Sequence, residues 1–218
     1  MSRSIKFWFE YSSPYSAISV YEILALAKRG DFSKNSLIIE PRPLLLGALL
    51  KKLELPVIPF ASNEPKFNYM WHDSQRQIAK IKSKYNLKDS FNINKPKDFP
   101  INGLLAARAT ISLQNEIKDT NSQNLLNFIL KMYDYSFNKD IDINDKDLIK
   151  EEISSYFPDL NPDLIVDNAT KSEIKESLKA NTEEAYNLNM FGAPTFTVSG
   201  EIFWGSDRLH DAIEKALE

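Results

Sequence analysis

Two short polar motifs near the two ends of the chain contain the residues best suited to chemistry. The first, Ser13-Pro14-Tyr15-Ser16, follows a strand-like run of large residues from Ile5 to Glu10. Serine favours the cap of a helix and proline its first turn, so Ser13 is predicted at a helix N-terminus, beside unpaired amides and the positive end of the dipole. A hydroxyl group there can stabilise a thiolate. The alternative is that Ser13 only caps the helix.

The second motif, FGAPTFTVSGEIFWGSDR, runs from residue 191 to residue 208. Its β-branched and aromatic residues flank the turn pair Ser199-Gly200, which predicts a β-hairpin. Pro194 opens the first strand, either as an edge residue or through a cis peptide bond. Ser206 and Asp207 then precede a helical pattern. They can receive the charged end of a ligand, or Asp207 and Arg208 can simply cap and salt-bridge that helix.

Composition excludes several kinds of protein. The 218 residues contain no cysteine and two histidines, which rules out dithiol redox chemistry by the chain itself and argues against a metal site. A net charge of -3 argues against a nucleic-acid or anionic-membrane partner. No apolar run is long enough to cross a membrane, and the N-terminal residues lack a signal-peptide pattern. We therefore expect a cytoplasmic protein.

The motifs resemble those of the 2-hydroxychromene-2-carboxylate isomerases and kappa-class glutathione transferases, which belong to the DsbA-like branch of thioredoxin-like proteins. That family shows (V/F)-G-x-P-T-F followed by (L/F)-(F/W)-G-x-D-R, matched here by 191–196 and 203–208. A K-x-x-Y-x-x-x-D-x-x-R pattern matches 66–76, and F-P-x-N matches 99–102. The resemblance covers nearly the whole chain.

The resemblance implies an α/β protein with a thioredoxin-like fold and an inserted all-α domain. The order of predicted elements agrees, because strand–helix–strand is followed by a long helical stretch and then by a hairpin and a helix. We assign residues 1–45 and 186–218 to a discontinuous thioredoxin-like domain, and residues 46–185 to the inserted α-helical domain.

The resemblance also implies glutathione as the cofactor. Ser13 matches the family serine that contacts the glutathione sulfur. The backbone at Ala193 and Pro194 would pair with its cysteinyl peptide, and Ser206 and Asp207 would receive its γ-glutamyl group.

Two further residues are assigned to the substrate. Lys66 could line the pocket or belong to a solvated stripe of ion pairs, and Asn102 could be a pocket donor or a helix cap. The sequence departs from the family pattern at two places: Leu55 stands where the family has a glutathione-contacting asparagine, and Gly103 replaces a hydroxyl residue.

The implied activity is that of a glutathione-dependent isomerase acting on a small electrophilic substrate. A thiolate would add to an unsaturated acid, a bond would rotate, and the thiol would be released. The alternatives are a kappa-type glutathione transferase or peroxidase acting on hydrophobic electrophiles, and a non-catalytic thioredoxin-like binding protein. The resemblance further implies a homodimer.

Overall fold

One mixed four-stranded sheet forms the centre of the protein. The computed structural model describes residues 3–56, 63–117 and 123–218. The strands lie in the order β2-β1-β3-β4, with bounds β1 Arg3–Phe9, β2 Leu37–Pro43, β3 Thr195–Val198 and β4 Glu201–Trp204. β1 is parallel to β2 and antiparallel to β3, which pairs with β4 as a hairpin. The predicted α/β thioredoxin-like architecture is confirmed.

Helices cover this sheet and fill most of the interval between β2 and β3. Their bounds are α1 Pro14–Lys28, α2 Asp31–Lys34, α3 Leu46–Lys52, α4 Glu64–Tyr85, α5 Leu104–Glu116, α6 Gln123–Tyr133, α7 Lys146–Tyr156, α8 Pro162–Asn168, α9 Ser172–Asn187 and α10 Leu209–Leu217. A π-helical turn at Asp134–Asn138 follows α6, and a 3₁₀ turn at Ser206–Arg208 precedes α10. No helix within the described ranges has both the length and the apolar character needed to span a membrane.

β1 is apolar along most of its length because both of its faces are buried. Ile5, Phe7 and Phe9 face the main core, whereas Trp8 points to a second cluster with residues of α3 and α9. Alternate side chains of a strand point to opposite faces, so a central strand covered on both sides needs apolar residues at consecutive positions. The Trp8 indole still finds a polar partner, since its Nε1 donates to Thr197 Oγ1 at 3.0 Å.

The polar motif after β1 begins α1 as the sequence predicts. Ser13 is the N-cap and its Oγ accepts the Ser16 amide at 3.2 Å, while Pro14 occupies the first helical position. The helix that follows is almost wholly buried between the sheet and α4 and α6. Ser13 is therefore held in position by the end of β1 on one side and by the buried helix α1 on the other.

Several elements were not predicted. The short helices α2, α3 and α8 lie in stretches that the sequence analysis left without structure. The cis peptide bond at Phe99–Pro100 was not predicted either, whereas the cis bond at Ala193–Pro194 confirms one of the two alternatives given for Pro194. The main buried cluster draws residues from β1, from α1 and from the helices between β2 and β3. The division at residues 45 and 186 stays a prediction.

A buried carboxylate joins three helices. Glu22 of α1 accepts hydrogen bonds at Oε1 from Lys84 Nζ at 3.0 Å, Tyr85 Oη at 2.8 Å and His210 Nε2 at 3.0 Å. Burial alone would raise the pKa of Glu22, but the hydrogen bonds from His210, Lys84 and Tyr85 and the Lys84 charge lower it to about 2. This cluster ties α10 to α1 and α4.

Acid should therefore weaken the protein through Glu22. A carboxyl group whose pKa is lowered by folding stabilises the native state above its unfolded pKa of 4.5, and this contribution is lost as the pH falls through about 2. We expect wild type to lose on the order of 3 kcal/mol more unfolding free energy than Glu22→Gln between these pH values. Urea denaturation at a series of pH values measures the difference. Parallel curves for the two proteins would contradict the assignment.

Candidate functional site

The hydroxyl group of Ser13 lies at the meeting point of the two sequence motifs. Its Oγ donates to the carbonyl oxygen of Ala193 at 3.1 Å while it accepts the Ser16 amide. Ser13 is 7% exposed, so the contact is largely shielded from water. The structure thus shows the capping role, and it also places the hydroxyl at the positive end of α1, where an anion is stabilised.

The Ala193–Pro194 peptide bond is cis and faces this helix N-terminus. The Pro194 carbonyl accepts the Gly205 amide at 3.0 Å, and Thr195 Oγ1 donates to the Gly192 carbonyl at 2.8 Å. Gly192 lies against Trp204, because a Cβ added to it would be 2.4 Å from the indole Nε1. These contacts hold the segment in place, and the Ala193 carbonyl has Ser13 as its side-chain partner.

Ser206 is linked to α1 through two side chains of α4. Ser206 Oγ donates to Gln77 Oε1 at 3.1 Å, and Gln77 Nε2 donates to Asp73 Oδ2 at 2.7 Å. Asp73 Oδ2 also accepts the hydroxyl group of Tyr15 at 3.2 Å. The chain of hydrogen bonds therefore connects the 3₁₀ turn before α10 to the first turn of α1, one residue beyond Pro14.

Asp207 is exposed and pairs with its neighbour. Its Oδ2 accepts from Arg208 Nη2 at 2.7 Å, and Arg208 Nη1 also reaches Asp211 at 2.7 Å. The ion pair between Asp207 and Arg208 agrees with the alternative in which these two residues salt-bridge at the start of the last helix. Among the described residues the hydrogen-bond donor to the Asp207 carboxylate is Arg208. The carboxylate also lies over Gly205, whose φ of 116° suits glycine. The carboxylate remains open to a cationic ligand group.

The remaining sequence-based candidates lie farther from Ser13 along the fold. Lys66 is exposed in the first turn of α4, where its amide donates to the Asn63 cap at 3.1 Å. Asn102 is exposed, and its Oδ1 accepts the Leu104 amide at 3.2 Å at the start of α5. Leu55 is 43% exposed just after α3. The structure thus joins Ser13 directly to Ala193, and joins Ser206 to the first turn of α1 through Gln77 and Asp73. Asn102 lies apart from them at the start of α5. The roles of all these residues stay predictions.

A cavity of about 120 Å³ lies at the carboxyl end of β1, and we call it the Glu10 cavity. It is lined by Phe9, Glu10, Tyr11, Pro43, Leu44, Leu45, Ile101, Asn102, Gly103, Leu104 and Ala107. Gly103 is needed here because a Cβ at that position would lie 2.4 Å from Tyr11 Cβ. This close approach gives a physical reason for glycine where the family pattern has a hydroxyl residue.

Glu10 is the acidic group of this cavity. Its Oε2 accepts from both the amide of Ser12, at 2.9 Å, and the hydroxyl group of Ser12. Its carbonyl oxygen accepts the Ser13 amide at 3.0 Å, so Glu10 belongs to the same turn as the proposed thiolate-binding serine. Burial raises the pKa of Glu10 to about 7, although the Ser12 hydrogen bonds act in the opposite direction.

Comparison with known proteins identifies the family of the chain. A profile described as the DSBA-like thioredoxin domain matches residues 4–218. The chain belongs to the DSBA-like thioredoxin domain family. In this chain Ser13 lies at the N-terminus of the first helix and opposite the residue before the cis-proline, and the sequence contains no cysteine.

Individual relatives of this DSBA-like protein include isomerases and oxidoreductases. A protein named 2-hydroxychromene-2-carboxylate isomerase from Sphingobium xenophagum is 25% identical over 100% of this chain and 99% of its own length. A solved 2-hydroxychromene-2-carboxylate isomerase structure has a TM-score of 0.76 at 16% identity, covering 97% of this chain and 93% of that one. A probable DsbA oxidoreductase from Streptomyces coelicolor has a TM-score of 0.61 at 12% identity, covering 97% and 87%.

Three polar residues of this DSBA-like site were not among the candidates predicted from the sequence. Gln77 lies one turn after Asp73 on the polar face of α4, and this spacing alone could have suggested it. Tyr15 was named as part of the Ser-Pro motif but given no role. Glu10 is an acid directly after a buried strand, a place where polar side chains often meet a site, and that signal was available.

Proposed function

We propose that this protein is a glutathione-dependent isomerase of the 2-hydroxychromene-2-carboxylate isomerase type. The observation that carries the proposal is the buried Ser13 hydroxyl at the N-terminus of α1, 3.1 Å from the carbonyl oxygen of Ala193. The similarity to isomerases over the full chain supports it. When bound, glutathione would supply the thiolate that adds to an unsaturated acid and is released after bond rotation.

The residues present fit glutathione at both of its ends. A thiolate can take the Ser13 hydrogen bond in place of the Ala193 carbonyl, which is then free to accept the cysteinyl amide of the tripeptide. The helix N-terminus adds a favourable field for the sulfur anion. At the other end the Asp207 carboxylate can receive the γ-glutamyl ammonium, and the 3₁₀ turn at Ser206 offers backbone amides to its carboxylate.

Two other functions are supported by particular observations. Because a thiolate held at Ser13 could also attack other electrophiles, the site suits a kappa-type glutathione transferase or peroxidase. The substitution of Leu55 for the family asparagine removes one expected glutathione contact and favours a non-catalytic binding protein. The isomerase proposal includes a homodimer, as the family resemblance implies.

Glutathione binding by calorimetry tests the proposal, with thiolate absorbance followed in the same samples. We expect glutathione to bind with its thiol pKa lowered by about one unit from roughly 8.5. S-methylglutathione, which cannot form a thiolate, is the matched ligand and should bind more weakly. Failure of millimolar glutathione to bind would overturn the proposal.

The amount of free thiol left after the reaction, together with the geometry of the unsaturated acid, separates the three functions. An isomerase returns all of the free thiol after the unsaturated acid has changed geometry, whereas a transferase consumes one thiol for each substrate molecule. A binding protein retains glutathione without turnover of either kind. Thiol titration of the reaction mixture therefore separates the transferase from the other two, and the change in geometry of the unsaturated acid, followed by absorbance, separates the isomerase from the binding protein.

A further inference from the structure

The Glu10 cavity has one acidic group and an otherwise uncharged wall. Its other lining residues are apolar or amide-bearing, apart from the hydroxyl-bearing Tyr11, and none of the described lining residues is a lysine, arginine or histidine. A carboxylate entering this cavity would meet Glu10 and no cationic side chain. The first amides of α5 in the wall would not compensate it, because those of Leu104 and Leu105 already donate to Asn102 Oδ1 and Asn144 Oδ1. Burial of an unpaired charge is unfavourable, so the lining selects an uncharged group.

The carboxyl group of Glu10 is set up to donate a hydrogen bond. Oε2 is held by the two Ser12 donors, and Oε1 has no hydrogen-bond partner among the residues that the structure describes. A protonated carboxyl group has one O–H donor, and the raised pKa of Glu10 keeps a large fraction protonated at neutral pH. The hydrogen is therefore available at Oε1.

The titratable groups that face Glu10 do not compete for this proton. Tyr133 of α6 donates to the Glu10 carbonyl oxygen at 2.9 Å, and Tyr11 donates to or accepts from Thr110. Burial raises the pKa of both phenols well above 10, so both stay neutral. The lining segments after β2 and before α5 contribute no titratable side chain.

We propose that Glu10 is the specificity-determining residue of this cavity, where its carboxyl group donates a hydrogen bond to the carbonyl oxygen of an uncharged substrate head and turns away a carboxylate. As a statement about catalysis, the inference rests on the proposed function, because it names the part of the electrophile that enters the cavity next to the Glu10–Ser13 turn. An unsaturated acid would place its carbonyl or ring in the cavity and leave its carboxylate outside.

Binding of two small probes tests this without glutathione. Acetophenone presents an uncharged carbonyl group, and benzoate is a similar molecule that ends in a carboxylate. Each is titrated into the ¹⁵N-labelled protein at about pH 5.5 and about pH 8.5, on either side of the Glu10 pKa, while the amide signals of Gly103 and Leu104 are followed. We expect benzoate to bind at least about tenfold more weakly than acetophenone at the higher pH, and to weaken about tenfold between the two pH values.

The variant Glu10→Gln should remove the pH dependence for both probes, because the amide keeps a donor and carries no charge. Its carbonyl oxygen can still accept from Ser12, so the turn should be retained. Glu151→Gln, at an exposed position of α7, is the matched control and should behave as wild type. Equal binding of the two probes by wild type at the higher pH, a pH dependence that persists in Glu10→Gln, or no binding of acetophenone would each overturn the assignment.

The probe experiment can fail independently of the glutathione experiment. If the probes discriminate as expected but glutathione does not bind, the cavity assignment stands and the proposed function fails. If glutathione binds with a lowered thiol pKa but the probes do not discriminate, the proposed function stands and the role of Glu10 fails.

Discussion

Ser13→Ala is expected to lower glutathione-dependent turnover by about 10²- to 10³-fold, the effect of removing one preorganised donor to an anion. The variant loses the hydroxyl that donates to Ala193 in the free protein and would donate to the thiolate in the complex. The pKa of bound glutathione should return toward its free value of about 8.5. Both quantities are measurable, the first from initial rates and the second from thiolate absorbance as a function of pH.

The variant also loses a helix cap, so stability must be measured alongside activity. Removing the serine that accepts the Ser16 amide should cost about 1 kcal/mol, which leaves the protein folded at ordinary temperatures. Ser19→Ala is the control, because it removes another buried hydroxyl from α1, one that donates to the Tyr15 carbonyl within the same helix. If the two variants had the same turnover, Ser13 would have no role in the chemistry.

Phe7→Ala is expected to lower the free energy of unfolding by about 3–5 kcal/mol. Phe7 is fully buried in the central strand, and its ring stacks on Phe9 and on Phe196, with 5.3 Å between ring centroids in each pair. Alanine would leave a cavity on the core face of the sheet, beside Phe9 and Phe196, that the rigid sheet cannot close. β1 ends shortly before Ser13, and β3 begins directly after Pro194. The packing of Phe7 against both strands therefore also supports the site.

Two further variants separate the effect of the cavity on the free energy of unfolding from the effect of losing an aromatic ring. Phe7→Leu retains most of the volume and should cost less than about 1.5 kcal/mol. Phe191→Ala removes a ring that is 43% exposed and packs on Trp204, and should cost less than about 1 kcal/mol. Urea denaturation curves of the three variants provide the comparison. A Phe7→Ala loss no larger than that of Phe191→Ala would contradict the packing argument.

The ends of the chain could be predicted because their local signals agree. Ser13-Pro14 gives the start of α1, apolar residues on both faces of β1 give a central strand, and Ser199-Gly200 gives the hairpin turn. The spacing of apolar residues over 66–85 gives α4, which begins two residues earlier at Glu64. In each case the residue types and their spacing favour one local structure.

The elements and contacts that were missed depend on distant packing or on short segments. α8 has an Asn161 cap and Pro162, yet its seven residues give too little periodicity to recognise. The bond from Ser206 to Gln77 joins residues 129 positions apart, and sequence spacing carries no information about it. Likewise, Glu10 looks like the polar end of a strand, and its raised pKa arises only once the neighbouring segments bury it.

The position of β3 in the sheet bears on protein synthesis. Ser13 and Ala193 are 180 positions apart, although β1 and β3 are neighbouring strands. A ribosome releases the first of them long before the second, so a growing chain has β1 and α1 without the opposite wall of the site. Under the proposed function, glutathione can therefore recognise a finished molecule but cannot assist a nascent one, and one edge of β1 stays unpaired until β3 is made.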